Sequence, residues 1–184
     1  MFVEITDFDS PPYSLPNLAH RKNSFLSYAE YLEKDALTRL LGYDFYIRLL
    51  DGIENADQIW LDVRDGVSYE YEGFTQIYSG LKDFLIPYIY ANWLIEDQTK
   101  QTGAGNTVGK AKNSVVVSSA RDIVKGWNNY VEKLGFNHVS VGYYSRYDNH
   151  VTNHKSTLYG LLKSNDLYGE FEYNYPGTIN IMNL

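Results

Sequence analysis

The sequence predicts a mainly α-helical protein, a bundle of four to five helices with a small β-hairpin or short sheet and extended terminal arms. Apolar residues recur at spacings of three and four over several long segments, which is typical of amphipathic helices. One short segment near residue 70 alternates apolar and polar residues with the period of a strand. Three of the five prolines fall within residues 1–20, where helical periodicity is lost.

Composition favours one ordinary folded domain. The chain has 184 residues, of which 44% are hydrophobic, enough to bury a core. A net charge of −7 argues against gripping a phosphate backbone with the general surface. The absence of cysteine excludes a disulfide framework and thiolate metal sites. The first residues lack the pattern of a secretory signal, and no apolar run is long enough to predict a membrane span.

Three segments are expected: an N-terminal arm over 1–22, a helical domain over 23–167 and an extended tail over 168–184. The arm is extended or disordered; residues alone leave both open. The first helix begins at Asn23 or Ser24, either of which can cap it. Its apolar stripe stops or kinks at Gly42, and a shorter helix follows from 43 to 50, ended by Asp51-Gly52. Charged residues lie mostly off that stripe: Glu30, Glu33, Lys34 and Arg39.

The middle of the chain is less regular. Residues 53–64 are ambiguous, with Trp60 and Leu61 as candidate buried anchors. Residues 67–71 alternate between Gly66 and Gly73, which indicates a strand paired with the arm, the tail or a neighbour, or half of a hairpin. A third helix is expected over 75–100, where Pro87 should kink or divide it near residues 85–86, or end it.

The last third is predicted to start with a flexible loop over 102–114, which is rich in glycine and small polar residues. A fourth helix follows, capped by Ser118 or Ser119 and closed by Gly135. Its amphipathic stripe consists of Ile123, Trp127, Tyr130, Val131 and Leu134. A shorter helix is expected over 156–164 with Leu158, Leu161 and Leu162 on its buried side.

No motif predicts catalysis. The segment from Gly103 to Lys110 resembles a phosphate-binding loop but has Ala104 and Ala111 where the motif needs glycine and a hydroxyl. His150 and His154 are four residues apart in a loop-like stretch without the glutamate of a metalloprotease motif. We therefore expect no catalytic, cofactor-binding or metal-binding residue, and a protein that is not an enzyme. Two alternatives stay open: a small hydrolase with a site of distant carboxylates and histidine, and a helical adaptor that binds a host protein.

Tyrosine is the densest signal, with 18 in the chain. Its large apolar body and polar tip suit a surface that another protein covers. Those on helical stripes are expected in the core: Tyr28, Tyr46, Tyr88 and Tyr130. Those in strands, loops and tail are the predicted interface residues: Tyr69, Tyr71, Tyr143, Tyr144, Tyr147, Tyr173 and Tyr175. Lys110 and Lys112 of the loop are added to this interface as contacts to a partner subunit or to DNA.

The order of several motifs also carries a resemblance. Leu40-Leu41-Gly42 is followed by Phe45-Tyr46, then by the strand before Gly73, by Tyr78-Ser79-Gly80-Leu81-Lys82 and by a tail with Ile179-Asn180-Ile181. This order, over most of residues 24–181, resembles a family of small proteins encoded among structural genes of phages and prophages of Bacteroidetes. It is also similar in helix order to the head–tail connector, or adaptor, proteins of tailed phages. The N-terminal arm departs from that pattern.

The resemblance implies a mechanical role in the neck of the virion. Such adaptors form a homo-oligomeric ring, commonly dodecameric, beneath the portal protein. The ring extends the DNA channel and offers a platform to a downstream neck or tail protein. Genomic DNA would pass without sequence-specific binding, and the acidic total charge suits a channel that must not hold it. The protein would be assembled in the cytoplasm of the bacterial host, and the resemblance carries over no catalytic residue, cofactor or membrane partner.

Overall fold

The structure, a computed structural model, describes residues 1–15, 18–71, 73–102, 105–108, 120–134 and 158–171. It confirms a mainly helical fold with a small antiparallel hairpin. The elements in these residues are α1 (Leu18–Glu54), α2 (Gln58–Asp65), β1 (Val67–Tyr71), β2 (Phe74–Tyr78), α3 (Lys82–Gln98), β3 (Thr99–Thr102), β4 (Gly105–Val108), α4 (Ala120–Lys133) and α5 (Leu158–Ser164). Short 3-10 turns lie at Ile5–Phe8 and Tyr168–Glu170.

Helix α1 is two helices joined by a sharp bend. Gly42 has φ 85° and ψ 165°, outside the helical region and in the range that favours glycine. In a straight helix Lys34 and Tyr46 would be about 18 Å apart along the axis. The Lys34 Nζ atom nevertheless lies 5.9 Å from the centre of the Tyr46 ring. The predicted stop or kink at Gly42 is therefore confirmed, and the second half of α1 folds back beside the first.

The second half of α1 continues past the predicted end at residues 51–52. Gly52 lies inside the helix, where a Cβ would stand 2.0 Å from Cδ1 of Trp60. Glycine is required at this position because the indole of α2 packs directly on the helix backbone. The prediction that Asp51-Gly52 ends the helix is wrong, and the expected anchoring role of Trp60, 5% exposed, is confirmed. Leu61 is half-buried.

Strands β1 and β2 form an antiparallel hairpin with register from Val67 opposite Tyr78 to Tyr71 opposite Phe74. The connection is two residues long and contains Gly73 at φ 77°. The sequence predicts β1 correctly but assigns residues 75–81 to the third helix, which begins only at Lys82. Strand β2 forms instead because its β-branched and aromatic residues suit a strand and β1 satisfies its backbone groups.

The two ends of the hairpin cross backbone against backbone. A Cβ on Gly66 would lie 2.6 Å from the carbonyl oxygen of Tyr78, and one on Gly80 would lie 2.7 Å from that of Arg64. The N–H of Leu81 donates to the Arg64 oxygen at 3.1 Å across the same crossing. This contact fixes the base of the hairpin against the end of α2 and the start of α3.

Helices α3 and α4 pack closely side by side. Gly126 of α4 lies where a Cβ would be 3.2 Å from the carbonyl oxygen of Pro87. The predicted division of the third helix at Pro87 is not found, since α3 continues through it to Gln98. The amphipathic stripes of the last two helices are confirmed. The buried residues of the first stripe, in and directly after α4, are Ile123, Tyr130, Val131 and Leu134, while Trp127 is half-buried. Those of the second stripe, in α5, are Leu158, Leu161 and Leu162.

The segment after α3 differs from the flexible loop predicted over 102–114. Strands β3 and β4 pair antiparallel from Thr99 opposite Val108 to Thr102 opposite Gly105. Threonine and valine favour extended backbone, and the paired strands satisfy each other's hydrogen-bonding groups. The remainder of the predicted loop, and the predicted caps at 118–119 and 135, lie outside the described residues.

Both terminal segments pack on the helices where they are described. Phe8 of the N-terminal turn is fully buried, with its ring 4.9 Å from that of Phe25. At the other end Phe171 lies 5.0 Å from Phe45, ring centre to ring centre, and Arg48 forms an ion pair with Glu170. Within the described residues, 1–15 of the predicted arm and 168–171 of the predicted tail pack on the helices, because Phe8 and Phe171 complete the core. Helix α1 also begins at Leu18, before the predicted caps.

Candidate interaction surfaces

The hairpin of β1 and β2 has an inner and an outer face. Val67 and Tyr69 point inward and pack against the core. The outer face, which we call the hairpin face, consists of Ser68, Glu70, Thr75 and Ile77. Ile77 is 64% exposed there, and Phe74 at the tip is 62% exposed. The Thr75 hydroxyl donates to the Glu70 carboxylate at 2.6 Å, so polar side chains border the isoleucine.

Tyr69 and Tyr71 are the predicted interface residues that the structure describes. They lie two residues apart on the inner face of β1, and both are half-buried. Burial, followed by the charge of Tyr71, raises the pKa of Tyr69 to about 12. The ammonium of Lys163 on α5 lies 5.9 Å from the Tyr71 ring centre. Part of each ring therefore supports the contact between hairpin and helices, and their use in an interface stays a prediction.

The other predicted interface residues lie outside the described residues: Tyr143, Tyr144, Tyr147, Tyr173, Tyr175, Lys110 and Lys112. The structure neither joins them to Tyr69 and Tyr71 nor separates them. Sequence reasoning missed the hairpin face, because the predicted third helix over 75–100 includes Thr75 and Ile77. The signal that could have found it is Gly73 between two five-residue runs rich in aromatic and β-branched residues.

A second surface follows α1 and is aromatic. Tyr31 is 60% exposed and stacks on Tyr28 with ring centres 6.3 Å apart. Tyr43 is 57% exposed, and the Lys34 ammonium lies 5.8 Å from its ring. Tyr28 and Tyr46, which were predicted as core, are half-buried at the edge of this surface. Burial, and then the charge of Glu96, raises the pKa of Tyr28.

The two remaining predicted core tyrosines are confirmed as buried, and Tyr88 takes part in a polar network that reaches the surface at Arg39. Tyr88 donates its hydroxyl hydrogen to Asp35 at 2.8 Å, and Arg39 donates to the same carboxylate at 2.7 Å. Tyr130 packs on Tyr88 with ring centres 4.7 Å apart. Burial raises the pKa of Tyr88 and that of Tyr130, with the charge of Asp35 adding to both. Both phenols therefore stay protonated near neutral pH, and their contacts join α1, α3 and α4.

A third surface, which we call the seat, is the part of the helices on which the N-terminal segment packs. Glu33 of α1 is only 3% exposed. Its carboxylate accepts the backbone N–H of Phe2 at 2.9 and 3.0 Å and that of Val3 at 2.7 Å. Burial raises the pKa of Glu33, while these hydrogen bonds act in the opposite direction. The prediction that Glu33 lies off the buried stripe is wrong, because N–H groups from 30 residues away in the chain supply its partners.

Chemical groups of the kind that hold metals do not cluster in the part of the chain that the structure describes. There, no three of the histidines, aspartates and glutamates come together to hold an ion. His150 and His154 lie outside it. Within the same ranges no helix is long and apolar enough to cross a bilayer.

Comparison of the chain with models of known protein families, with curated proteins and with solved structures finds no match in any of the three. The class that the structure defines is therefore a mainly helical fold with a small hairpin, described by its own geometry.

Proposed function

We propose that the protein is a structural component of a tailed-phage virion, a head–tail connector of the neck. In this role its copies form a ring beneath the portal protein, around the DNA channel, and bind a downstream neck or tail protein. The observation that carries the proposal is the β-hairpin, whose base is held by close backbone contacts. Ile77 is exposed on its hairpin face, and Phe74 is exposed at its tip. The motif order described for the sequence supplies the class of assembly.

The geometry of the hairpin supports a role in protein association. Isoleucine and phenylalanine at more than 60% exposure add apolar area that a partner can bury. The crossing of Gly66 and Gly80 holds the base of the hairpin, so little order must be gained on binding. Polar side chains border Ile77, and a polar rim around an apolar centre is the usual anatomy of a protein interface.

The exposed tyrosines of α1 extend this support to a second side of the molecule. Tyr31 and Tyr43 are each more than half exposed. Tyrosine contributes large contact area with few rotatable bonds, and it is enriched where proteins associate. A ring subunit needs two different contact surfaces, one for each neighbour, because its interfaces are head-to-tail. The hairpin face and the aromatic surface of α1 are candidates for these two roles.

The test begins with the particle and the assembled protein. We expect the protein in purified virions at the copy number of a ring, and we expect ring-sized mass in solution alone or with the portal. Absence from virions, together with a monomer that ignores the portal, would overturn the proposal. A reconstruction in which Lys and Arg line most of the channel would overturn the expected acidic lumen. Hydrolytic activity in a deep acidic pocket would favour the hydrolase alternative instead.

Point variants then test which surface is used. Ile77→Thr keeps the β-branched shape of the strand residue but removes apolar contact area, so folding should be unchanged and assembly weakened. Ile95→Thr is the matched control, the same change at an isoleucine that is 43% exposed on α3. Substituting Tyr143 and Tyr144 should likewise preserve folding and impair assembly. Equal assembly by the Ile77 and Ile95 variants would remove the hairpin face from the interface.

A further inference from the structure

Residues 1–15, which we call the N-terminal strap, lie across three helices and are held at three polar points. Glu33 of α1 accepts the N–H groups of Phe2 and Val3. Asp7 forms an ion pair with Lys82 of α3 at 3.0 Å. The side-chain amide of Asn129 on α4 donates to the hydroxyl oxygen of Tyr13 at 2.9 Å. Side chains of the strap that are buried beneath these points are Val3, Phe8 and Leu15.

The seat of the strap is specific because of Glu33. Among the residues that the structure describes, Glu33 is the one charged residue that is buried. A buried carboxylate is costly unless hydrogen bonds satisfy it, and an apolar side chain of similar size would avoid that cost. The partners of Glu33 are main-chain N–H groups, which a side-chain change in the strap other than to proline cannot remove. The seat therefore recognises the strap by its backbone, in one register.

The strap joins the helical body through a break in α1. Arg21 has φ −123° and ψ 17°, whereas residues on both sides of it are helical. Hinges are commonly a few residues near the end of an element that absorb a change of dihedral angles. A return of Arg21 to helical dihedrals would straighten the first turn and redirect the strap. The guanidinium of Arg21, 4.6 Å from the centre of the Trp93 ring, holds the present arrangement.

We propose that the strap is exchanged between copies: in the assembled ring, the strap of one copy occupies the seat of its neighbour. This inference rests on the proposed self-assembly of the chain. Exchange retains the Glu33, Lys82 and Asn129 contacts, because the seat is the same on each copy. What changes is the path through Arg21, and a neighbour held in a ring supplies the second seat at high effective concentration. The partner recognised by the seat is thus a second copy of this chain.

The absence of cysteine makes the exchange directly measurable. One chain carries Asp7→Cys and another, distinguishable by mass, carries Lys82→Cys; both are mixed, assembled and treated with a short bismaleimide. The ion pair that these changes remove is partly exposed and adds little to stability. Crosslinked heterodimers are expected in the assembled fraction and not in dilute monomer. The double variant should crosslink within one chain in the monomer.

Two controls separate exchange from chance collision. Asp83→Cys and Lys133→Cys replace a comparable ion pair, 3.1 Å long, that joins α3 to α4 within the body. Mixed single variants of this pair should give no heterodimer in the same assembly. Adding Glu33→Gln to the Lys82→Cys chain removes the charged acceptor of the seat and should reduce the heterodimer yield by about tenfold or more.

The outcomes distinguish this inference from the function on which it rests. A ring in which the Asp7 and Lys82 positions crosslink only within single chains overturns strap exchange and leaves the connector function intact. Failure of the chain to assemble, alone and with the portal, overturns both. Heterodimers at the strap pair, with none at the Asp83 and Lys133 pair, support exchange.

Discussion

Replacing Gly52 by alanine should destabilise the fold because it drives a methyl group into Trp60. The added Cβ would lie 2.0 Å from Cδ1, 2.3 Å from Cγ and 2.8 Å from Cβ of that side chain. Real Cβ atoms do not approach other heavy atoms this closely. The nearest atoms include the Cβ of Trp60, which rotation about χ1 cannot move away. Helix α2 must therefore shift as a body relative to α1.

The magnitude follows from two opposing effects. Overpacking of a well-filled core costs about 3 kcal/mol at the upper end of its usual range. Alanine is favoured over glycine in a helix by about 1 kcal/mol. The net loss in the free energy of unfolding should be about 2 kcal/mol. For a chain of this length, that loss lowers Tm by about 4–8 °C.

Gly126→Ala is the matched control, since it gains the same helix propensity. Its Cβ would meet Tyr90 at 3.1 Å and Ala91 and Pro87 at 3.2 Å, so a movement of a few tenths of an ångström suffices. We expect a change within about 1 kcal/mol of zero. Denaturant unfolding of both variants measures the difference. Equal stability of the two alanine variants would refute the steric reasoning.

The identity of the obstructing group can be tested by a double-mutant cycle. Trp60→Ala alone should cost about 3–5 kcal/mol because the indole is buried. In that background the contacts with Cδ1 and Cγ are gone and only the 2.8 Å approach to the Cβ of residue 60 remains. Gly52→Ala should therefore destabilise less, which gives a coupling energy of about 1–3 kcal/mol. Additive effects would show that the Gly52 variant fails for a reason other than contact with the indole.

Three further results are expected. Glu33→Gln should lower the free energy of unfolding by about 1–3 kcal/mol in denaturant titration, because the charged acceptor of Phe2 and Val3 is lost; Glu30→Gln, an exposed change on the same helix, should leave it unchanged. Trp127→Ala should cost about 2 kcal/mol in the same assay, less than a fully buried tryptophan, because the ring is half-buried. The free energy of unfolding should fall as pH rises from 10 towards 12, since the folded chain retains the Tyr69 proton that the unfolded chain releases. Tyr69→Phe should reduce the slope of this free energy against pH by at most about 1.4 kcal/mol per pH unit. The reduction is smaller where solvent screens the half-buried ring. An unchanged alkaline slope in Tyr69→Phe would count against the raised pKa.

The sequence could predict the elements whose signal is local. Helix α4 has Ile123, Tyr130 and Val131 on one stripe, and a stripe needs no distant partner to be recognised. Gly42 marks the bend of α1 because its conformation disfavours any other residue. Strand β1 is short but alternates cleanly between two glycines.

Strand β2 could not be separated from the following helix by periodicity. Ile77 is followed at a spacing of four by Leu81 and then at three by Phe84, which continues the stripe of α3 backwards. The strand exists because its backbone pairs with β1 and because Gly80 allows the crossing that ends it. Both causes involve residues that approach one another only in the folded chain.

Glu33 shows the same limit for the candidate surfaces. Its position, four residues after Ala29 and three before Ala36, is compatible with the buried side of α1, but its charge favours an exposed assignment. The N–H groups that make its burial possible come from Phe2 and Val3. The sequence pattern around Glu33 does not predict this contact. A buried charge in a folded chain therefore identifies a contact that periodicity cannot.

The hairpin face and the strap should contribute differently to assembly. The hairpin is held at its base by the Gly66 and Gly80 crossing, so Ile77 is in position before a partner arrives and binding orders little. The strap must leave Glu33 before it can reach a neighbour, and that step breaks hydrogen bonds to a buried carboxylate. We therefore expect Ile77→Thr to weaken the first association of subunits. Variants of the strap seat should act later, on the stability of the closed ring, because they change a contact that forms only after the copies are adjacent.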